Sequence, residues 1–174
     1  AAGVPHVFTS FLVPIRESGS MLPQAALSPW VTSQAQRKRA WLIGSWGQAI
    51  SAGLIALSAM LIDGTALGAA VVVLLAAQAV FRALCSIAGK DVQGRTIEKG
   101  RRGRITGRAA ALSGGFTLAV GLLLSFLPND LPRWVIVALL AGGASTWAFA
   151  SLVFGTIKEP AEEPTPASNT NWAK

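Results

Sequence analysis

Residues 41–62, 109–127 and 134–155 each run for 19 to 22 positions without a charged side chain. As helices rising ~1.5 Å per residue, such runs cover roughly the ~30 Å hydrocarbon core of a bilayer. No water is present in that layer to bond a free backbone N–H or C=O, so a segment crossing it alone must satisfy its own backbone, as an α-helix does. A fourth run, 67–89, is interrupted by one charge, Arg82. A fifth, 4–31, is the least regular, broken by Pro14 and Pro23 and carrying Arg16 and Glu17 near its centre. The expected fold is therefore all-α, a polytopic membrane helix bundle of five transmembrane spans within residues 1–157. Beyond it, residues 158–174 are rich in Pro, Glu, Ser and Thr and are expected to form a disordered cytoplasmic linker or tail.

Composition and charge agree with a life in lipid. The chain is 52% hydrophobic and 13% charged, too apolar for an ordinary soluble domain. Its net charge of +7 is not spread as a nucleic-acid-binding surface would be, because the basic residues flank apolar runs with no aromatic interleaving. Residues 90–108 hold seven of the fifteen Lys and Arg residues, and Arg37, Lys38 and Arg39 form a second cluster. The connections on the opposite face, around Asp63 and at 128–133, contain one basic residue, Arg133. Since basic loops stay in the cytoplasm, both clusters and the tail are expected inside. Trp41 and Trp134 lie at span ends, where amphipathic rings favour the interface. The turn sequence Pro-Asn-Asp-Leu-Pro at 128–132 is expected to make the last two spans antiparallel neighbours.

Chemistry that needs clustered side chains finds little to use. One cysteine, Cys85, and one histidine, His6, exclude an intramolecular disulfide and leave no zinc-ligand spacing, and neither a Ser/His couple nor clustered carboxylates occur. No metal, cofactor or enzymatic activity is expected. The partners expected instead are the lipid bilayer and a small-molecule or ion substrate.

Charges within spans are the strongest functional signal, because each costs ~2.5–3.5 kcal/mol at mid-bilayer on insertion scales and generally faces a partner or a watery cavity. On a helix, Glu17, Ser20, Gln24 and Ser28 form one polar stripe beside Arg16. This stripe reads as a cavity wall where Arg16 holds an anionic group or Glu17 accepts a proton; the alternative is a structural ion pair locking two helices. A second stripe comprises Gln78, Arg82, Ser86 and Gly89, in which Arg82 either binds substrate, pairs with Glu17, or snorkels to the inner interface. Lys90 and Asp91 lie near the inner boundary, solvated in a loop unless the helix runs on to Arg95, in which case they serve a cytoplasmic gate. Arg101, Arg102, Arg104 and Arg108 read as a topology and anionic-lipid anchor, with gate pairing as the alternative. Gly114-Gly115, Gly121 and Gly142-Gly143 offer small surfaces for close helix approach.

Three stretches carry a family resemblance. PWVTSQAQRKRAWLIG, at 29–44, resembles the segment between the second and third spans of major facilitator superfamily transporters, with Arg37, Lys38 and Arg39 at its basic end. Pro29, Gln36 and Ser33 stand where that pattern has two glycines and an aspartate, so the aspartate's gating role is not carried over. Arg101-Arg102-Gly103-Arg104 followed by Ile105-Thr106-Gly107 is similar to the start of the fifth span, and Phe81-Arg82-Ala83-Leu84 to the arginine motif of the fourth. FGTIKEP closes the last span before the Pro/Glu-rich tail, whereas the proline-containing fifth-span motif of many drug/proton antiporters is missing from LSGGFTLAVG.

The resemblance implies that the five spans are the second to sixth of a six-helix half. The whole would be a bacterial inner-membrane permease of two such halves, moving a small solute by alternating access. Arg16, Glu17, Ser20, Gln24, Gln78 and Arg82 would then bind or couple, and Arg37, Lys38, Arg39, Lys90, Asp91, Arg101, Arg102 and Arg104 would serve the cytoplasmic gate or the topology. Five crossings with an external amino end also suggest the middle of a longer protein, with the other transporter half on the same polypeptide. The alternatives are a membrane scaffold or accessory subunit without transport and, further off, a membrane-embedded enzyme.

Overall fold

The computed structural model describes residues 5–127 and 131–159, apart from the side chains at 6 and 16–22. Among these residues the chain is helical throughout, in the order α1 (His6–Ser33), α2 (Arg37–Leu61), α3 (Gly64–Thr96), α4 (Lys99–Ser125) and α5 (Arg133–Gly155). Helices α2 to α5 are long and apolar enough to cross a membrane by length and composition. The fifth expected span, α1, has the length but is not among the four. Their outer surfaces point the same way: Ile50, Phe116 and Phe149 are each more than half exposed, as lipid-facing side chains would be.

Two boundaries differ from the sequence reading. Pro14 and Pro23 do not break α1, which runs on through both and through Pro29; prolines are tolerated in such helices where neighbouring groups take up the freed carbonyls. Residues 90–108 are not one loop either. Helix α3 continues to Thr96 and α4 starts at Lys99, so the basic stretch is almost wholly helical and the connector is Ile97 and Glu98. Nothing in this stretch forces an earlier stop, since it lacks proline and Lys and Arg are good helix formers. Arg102 holds the bend, its Nε donating to Ile97 O at 2.7 Å and its other nitrogen reaching Gly94 O at the end of α3.

Helix α2 lies between α3 and α5 and is antiparallel to both, while α1 packs along α3. With α3 the pairing runs from Arg37 beside Asp91, through Gly44 beside Cys85, to Gly47 beside Phe81. Small residues permit this approach: a Cβ at Gly44 would come 2.8 Å from both Cys85 Sγ and the Phe81 carbonyl oxygen, and one at Gly47 would run into the Phe81 ring. Toward α5, the ring of Trp41 stacks on Phe154 with centroids 3.7 Å apart. Below it Ser45 donates to Trp147 O at 3.3 Å and accepts from Ser151 at 2.7 Å. Val31, Ala40, Leu84 and Ala88 close the core where α1, α2 and α3 meet.

The far end of α2 is tied by Arg133. It donates to the carbonyls of Ala59 and Ile62 and pairs with Asp63 at 3.0 Å, covering carbonyls that no further helical turn would bond. Gly64 turns the chain there in the left-handed region, at φ +66°, which a side chain would disfavour.

Helix α4 stands apart. It has no buried residue and no extended packing with the other described helices, so the side-by-side pairing of the last two spans expected from the 128–132 turn is not found. A short turn limits how far two helices can separate; it supplies no apolar contact to join them. Likewise a Cβ at Gly114, Gly115, Gly121, Gly142 or Gly143 would meet nothing within 4 Å, so among the described glycines backbone-close helix approach occurs at Gly44 and Gly47.

Candidate functional site

At mid-height between α2, α3 and α5 lies a cavity of about 500 Å³, lined by Gln48, Leu75, Gln78, Ala79, Arg82 and Trp147. Helical spacing brings Leu75, Gln78, Ala79 and Arg82 onto one face of α3. Gln48 enters from α2, 1% exposed, with its Nε2 donating to Cys85 Sγ at 3.4 Å; Cys85 in turn bonds Trp41 O at 3.4 Å. Trp147 closes the side belonging to α5.

Depth gives Arg82 its significance. Gln48 lies 11 residues after Arg37 and 13 before Leu61, at the midpoint of α2. Gly47 abuts Phe81 at that level, so Arg82 is near the middle of α2 as well. Asp91 is nine residues further along α3, roughly 13 Å at ~1.5 Å per residue. A guanidinium leaving the helix near the middle of its neighbour and lining a polar cavity is better placed to use that cavity than to snorkel. Among the described residues it has no ion-pair partner. Among the described residues the cavity lining thus carries one cation, two amides and no carboxylate.

A second constellation ties the helices together at the basic end. Arg37 is 3% exposed, and its Nε pairs with Asp91 Oδ2 at 2.9 Å. The two carboxylate oxygens of Glu159 accept from the backbone N–H groups of Arg37 at 3.1 Å and Lys38 at 2.7 Å. These are donors in the first turn of α2, with no intrahelical partner of their own, where negative charge is favoured. Lys38 reciprocates, its Nζ donating to Gly155 O at 3.1 Å and Ile157 O at 2.7 Å at the carboxyl end of α5. One carboxylate and one ammonium thus cap opposite ends of two antiparallel helices, while Asp91 brings in α3.

The sequence-expected residues divide accordingly. Gln78 and Arg82 meet in the cavity; Ser86 is half-buried elsewhere, and Gly89 faces Trp41. Arg37, Lys38 and Asp91 belong to the basic-end cluster, so Asp91 is held within a helix. Arg39, Lys90, Arg101, Arg104 and Arg108 are exposed, and Arg102 caps α3. Gln24 is half-buried on α1. Arg16, Glu17 and Ser20 lie within α1, but their side chains, and with them the Glu17–Arg82 pairing, fall outside the described residues.

Gln48, Trp147 and Glu159 were missed. Gln48 was detectable as a lone amide midway through a charge-free run, and Trp147 as a tryptophan away from a span end. Glu159 falls within the tail expected from residue 158 onward, yet it is 8% exposed, and no local signal announces a partner 121 residues away. No group of three or more His, Cys, Asp or Glu converges among the described residues in a way that would hold a metal. No protein-family model, curated protein or solved structure matches the chain.

Proposed function

We propose that this chain is part of a secondary active transporter of the major facilitator type, a multi-pass protein of the bacterial inner membrane. In this reading it moves a small solute by alternating access, together with a second half on the same polypeptide. The observation that carries it is the cavity at mid-height of apolar helices, with Arg82, Gln78 and Gln48 on its wall. An ionisable side chain inside a membrane domain marks a solute or ion pathway by default, because its insertion cost needs a compensating role. Facing such a cavity, α2, α3 and α5 rock as one body. The Arg37–Asp91 pair and the Glu159 and Lys38 caps join them at the basic end, and the two serines join α2 to α5 near the middle. Arg16 and Glu17 serve as further binding or coupling groups on α1.

The full-length protein in proteoliposomes tests this with radiolabelled carboxylates, sugars and amines under an imposed proton gradient. At least one solute should accumulate, and Arg82→Ala should slow its uptake at least tenfold, with smaller losses in Glu17→Gln and Arg16→Ala. Uptake unchanged in all three variants would refute the site. The uncovered surface of α4 favours a second reading, a membrane scaffold whose α4 docks a neighbouring helix. That protein would accumulate none of the solutes and would co-purify with a membrane partner in stoichiometric amount.

A further inference from the structure

We infer that the mid-height cavity takes an organic monoanion, a carboxylate carried on an apolar body, with Arg82 as its counter-charge. This rests on reading the cavity as the solute site.

The charge of the lining decides the sign of the ligand. Arg82 is the single ionised group among the described lining residues, and neither described ion pair involves it. Arg82 is exposed at the level of Gln48, so its counter-charge must come from what fills the cavity. Within the bilayer of the proposed function a second cation there would be repelled, and a neutral solute would leave the guanidinium uncompensated. One negative charge cancels that of Arg82; a dianion would exceed it by one.

The shape of the lining decides the rest. A guanidinium presents paired N–H donors in a planar fork, matched to two oxygens on one atom, as in a carboxylate. Gln78, one helical turn before Arg82, and Gln48, across the cavity on α2, add amides whose N–H groups can donate to the same oxygens or to a polar substituent. The remaining wall is Leu75, Ala79 and the Trp147 indole, which offers burial to hydrocarbon or an aromatic ring but no further charge. Inorganic phosphate would satisfy the fork and leave this wall unused. About 500 Å³ lies within the ~300–1,000 Å³ typical of small-molecule sites.

Purified full-length protein in nanodiscs of zwitterionic lipid is titrated at pH 7 with radiolabelled benzoate, hexanoate and pyruvate, and separately with inorganic phosphate and tetraethylammonium. At least one of the three carboxylates should bind saturably. A second carboxylate should compete with it, whereas phosphate and tetraethylammonium at tenfold higher concentration should not. Arg82→Gln, which retains a polar side chain, should weaken carboxylate binding at least tenfold while eluting as the same monodisperse species. If that variant is misfolded, the competition series on the unaltered protein decides by itself. Binding of none of the three carboxylates, displacement by tetraethylammonium, or unchanged affinity in a folded Arg82→Gln protein would overturn the anion site. Arg82-dependent binding without uptake in proteoliposomes would leave the anion site standing and sink the transporter reading. Uptake of a sugar or amine with no carboxylate binding would do the reverse.

Discussion

The Arg37 guanidinium, almost wholly buried at the start of α2, donates through Nε to Asp91 Oδ2 of α3 at 2.9 Å. Asp91 is the more accessible partner, its side chain 40% exposed, so the two residues do not contribute alike. Removing the carboxylate strands a buried cation, whereas removing the cation leaves a carboxylate that water can reach. Asp91→Ala should therefore lower stability by about 1–3 kcal/mol, less than for a fully buried pair because of that exposure. Arg37→Met should cost less. Thermal unfolding of both variants in the same detergent checks the order; equal or reversed losses would count against the asymmetry.

The hydroxyl pair in the middle of α2 and α5 sets a smaller effect. Ser45 and Ser151 are both buried, 2.7 Å apart. Interhelical side-chain bonds in membrane proteins average about 0.6 kcal/mol and reach about 1.7 at most. Ser45→Ala is thus expected to be tolerated, with a loss near 0.6 kcal/mol. Ser45→Leu, in a site with no free space, should separate the helices and shift the melting temperature by several times as much. A variant series that ranks leucine with alanine would show that the two helices do not approach as described.

Glycine positions give a contrast within one protein. Gly44→Ala puts a methyl 2.8 Å from the Phe81 carbonyl oxygen, which cannot move without its helix, so α2 and α3 must part. Gly47→Ala meets the Phe81 ring, which can turn aside at a lower cost. Gly114→Ala meets nothing in this chain, and in a helix exchanging Gly for Ala favours the helix by up to ~1 kcal/mol. The expected stability order is Gly114→Ala, then Gly47→Ala, then Gly44→Ala. Loss of expression in Gly114→Ala alone would reveal a partner helix packed on α4.

Much of the fold is written in periods and lengths that a single chain displays. The charge-free runs from residues 41, 109 and 134 became α2, α4 and α5, and the α3 extension toward Arg95 followed from the want of any stop signal after Gly89. What the sequence hid is which helix lies beside which. The 128–132 turn suggested that α4 packs on α5, but lipid and protein are equally apolar surroundings for a greasy helix, so hydrophobicity names no neighbour. The same limit applies to the glycines: Gly114-Gly115 and Gly44 look alike until a second helix is set against them. At the cavity, Gln78 and Arg82 were legible because polar groups in an apolar run are costly, and Gln48 carried the same signal without being recognised. Glu159 was hidden for a different reason. Its partners are backbone N–H groups, which every residue has.

The basic clusters predict that the basic end of the bundle lies on the cytoplasmic side and the Asp63 end on the other, so that the cavity stands between two aqueous compartments. Cys85 is the one cysteine of the chain and is buried, so a cysteine introduced at an exposed position reports its own side of the membrane. Thr65→Cys, at the Asp63 end of α3, and Arg104→Cys, in the first turns of α4, are both exposed sites. In intact cells an impermeant maleimide should label Thr65→Cys and leave Arg104→Cys unlabelled until the membrane is opened. Labelling of Arg104→Cys in intact cells would contradict the topology, and labelling of both positions there would contradict the crossing of α3 and with it the cavity's place between two aqueous compartments.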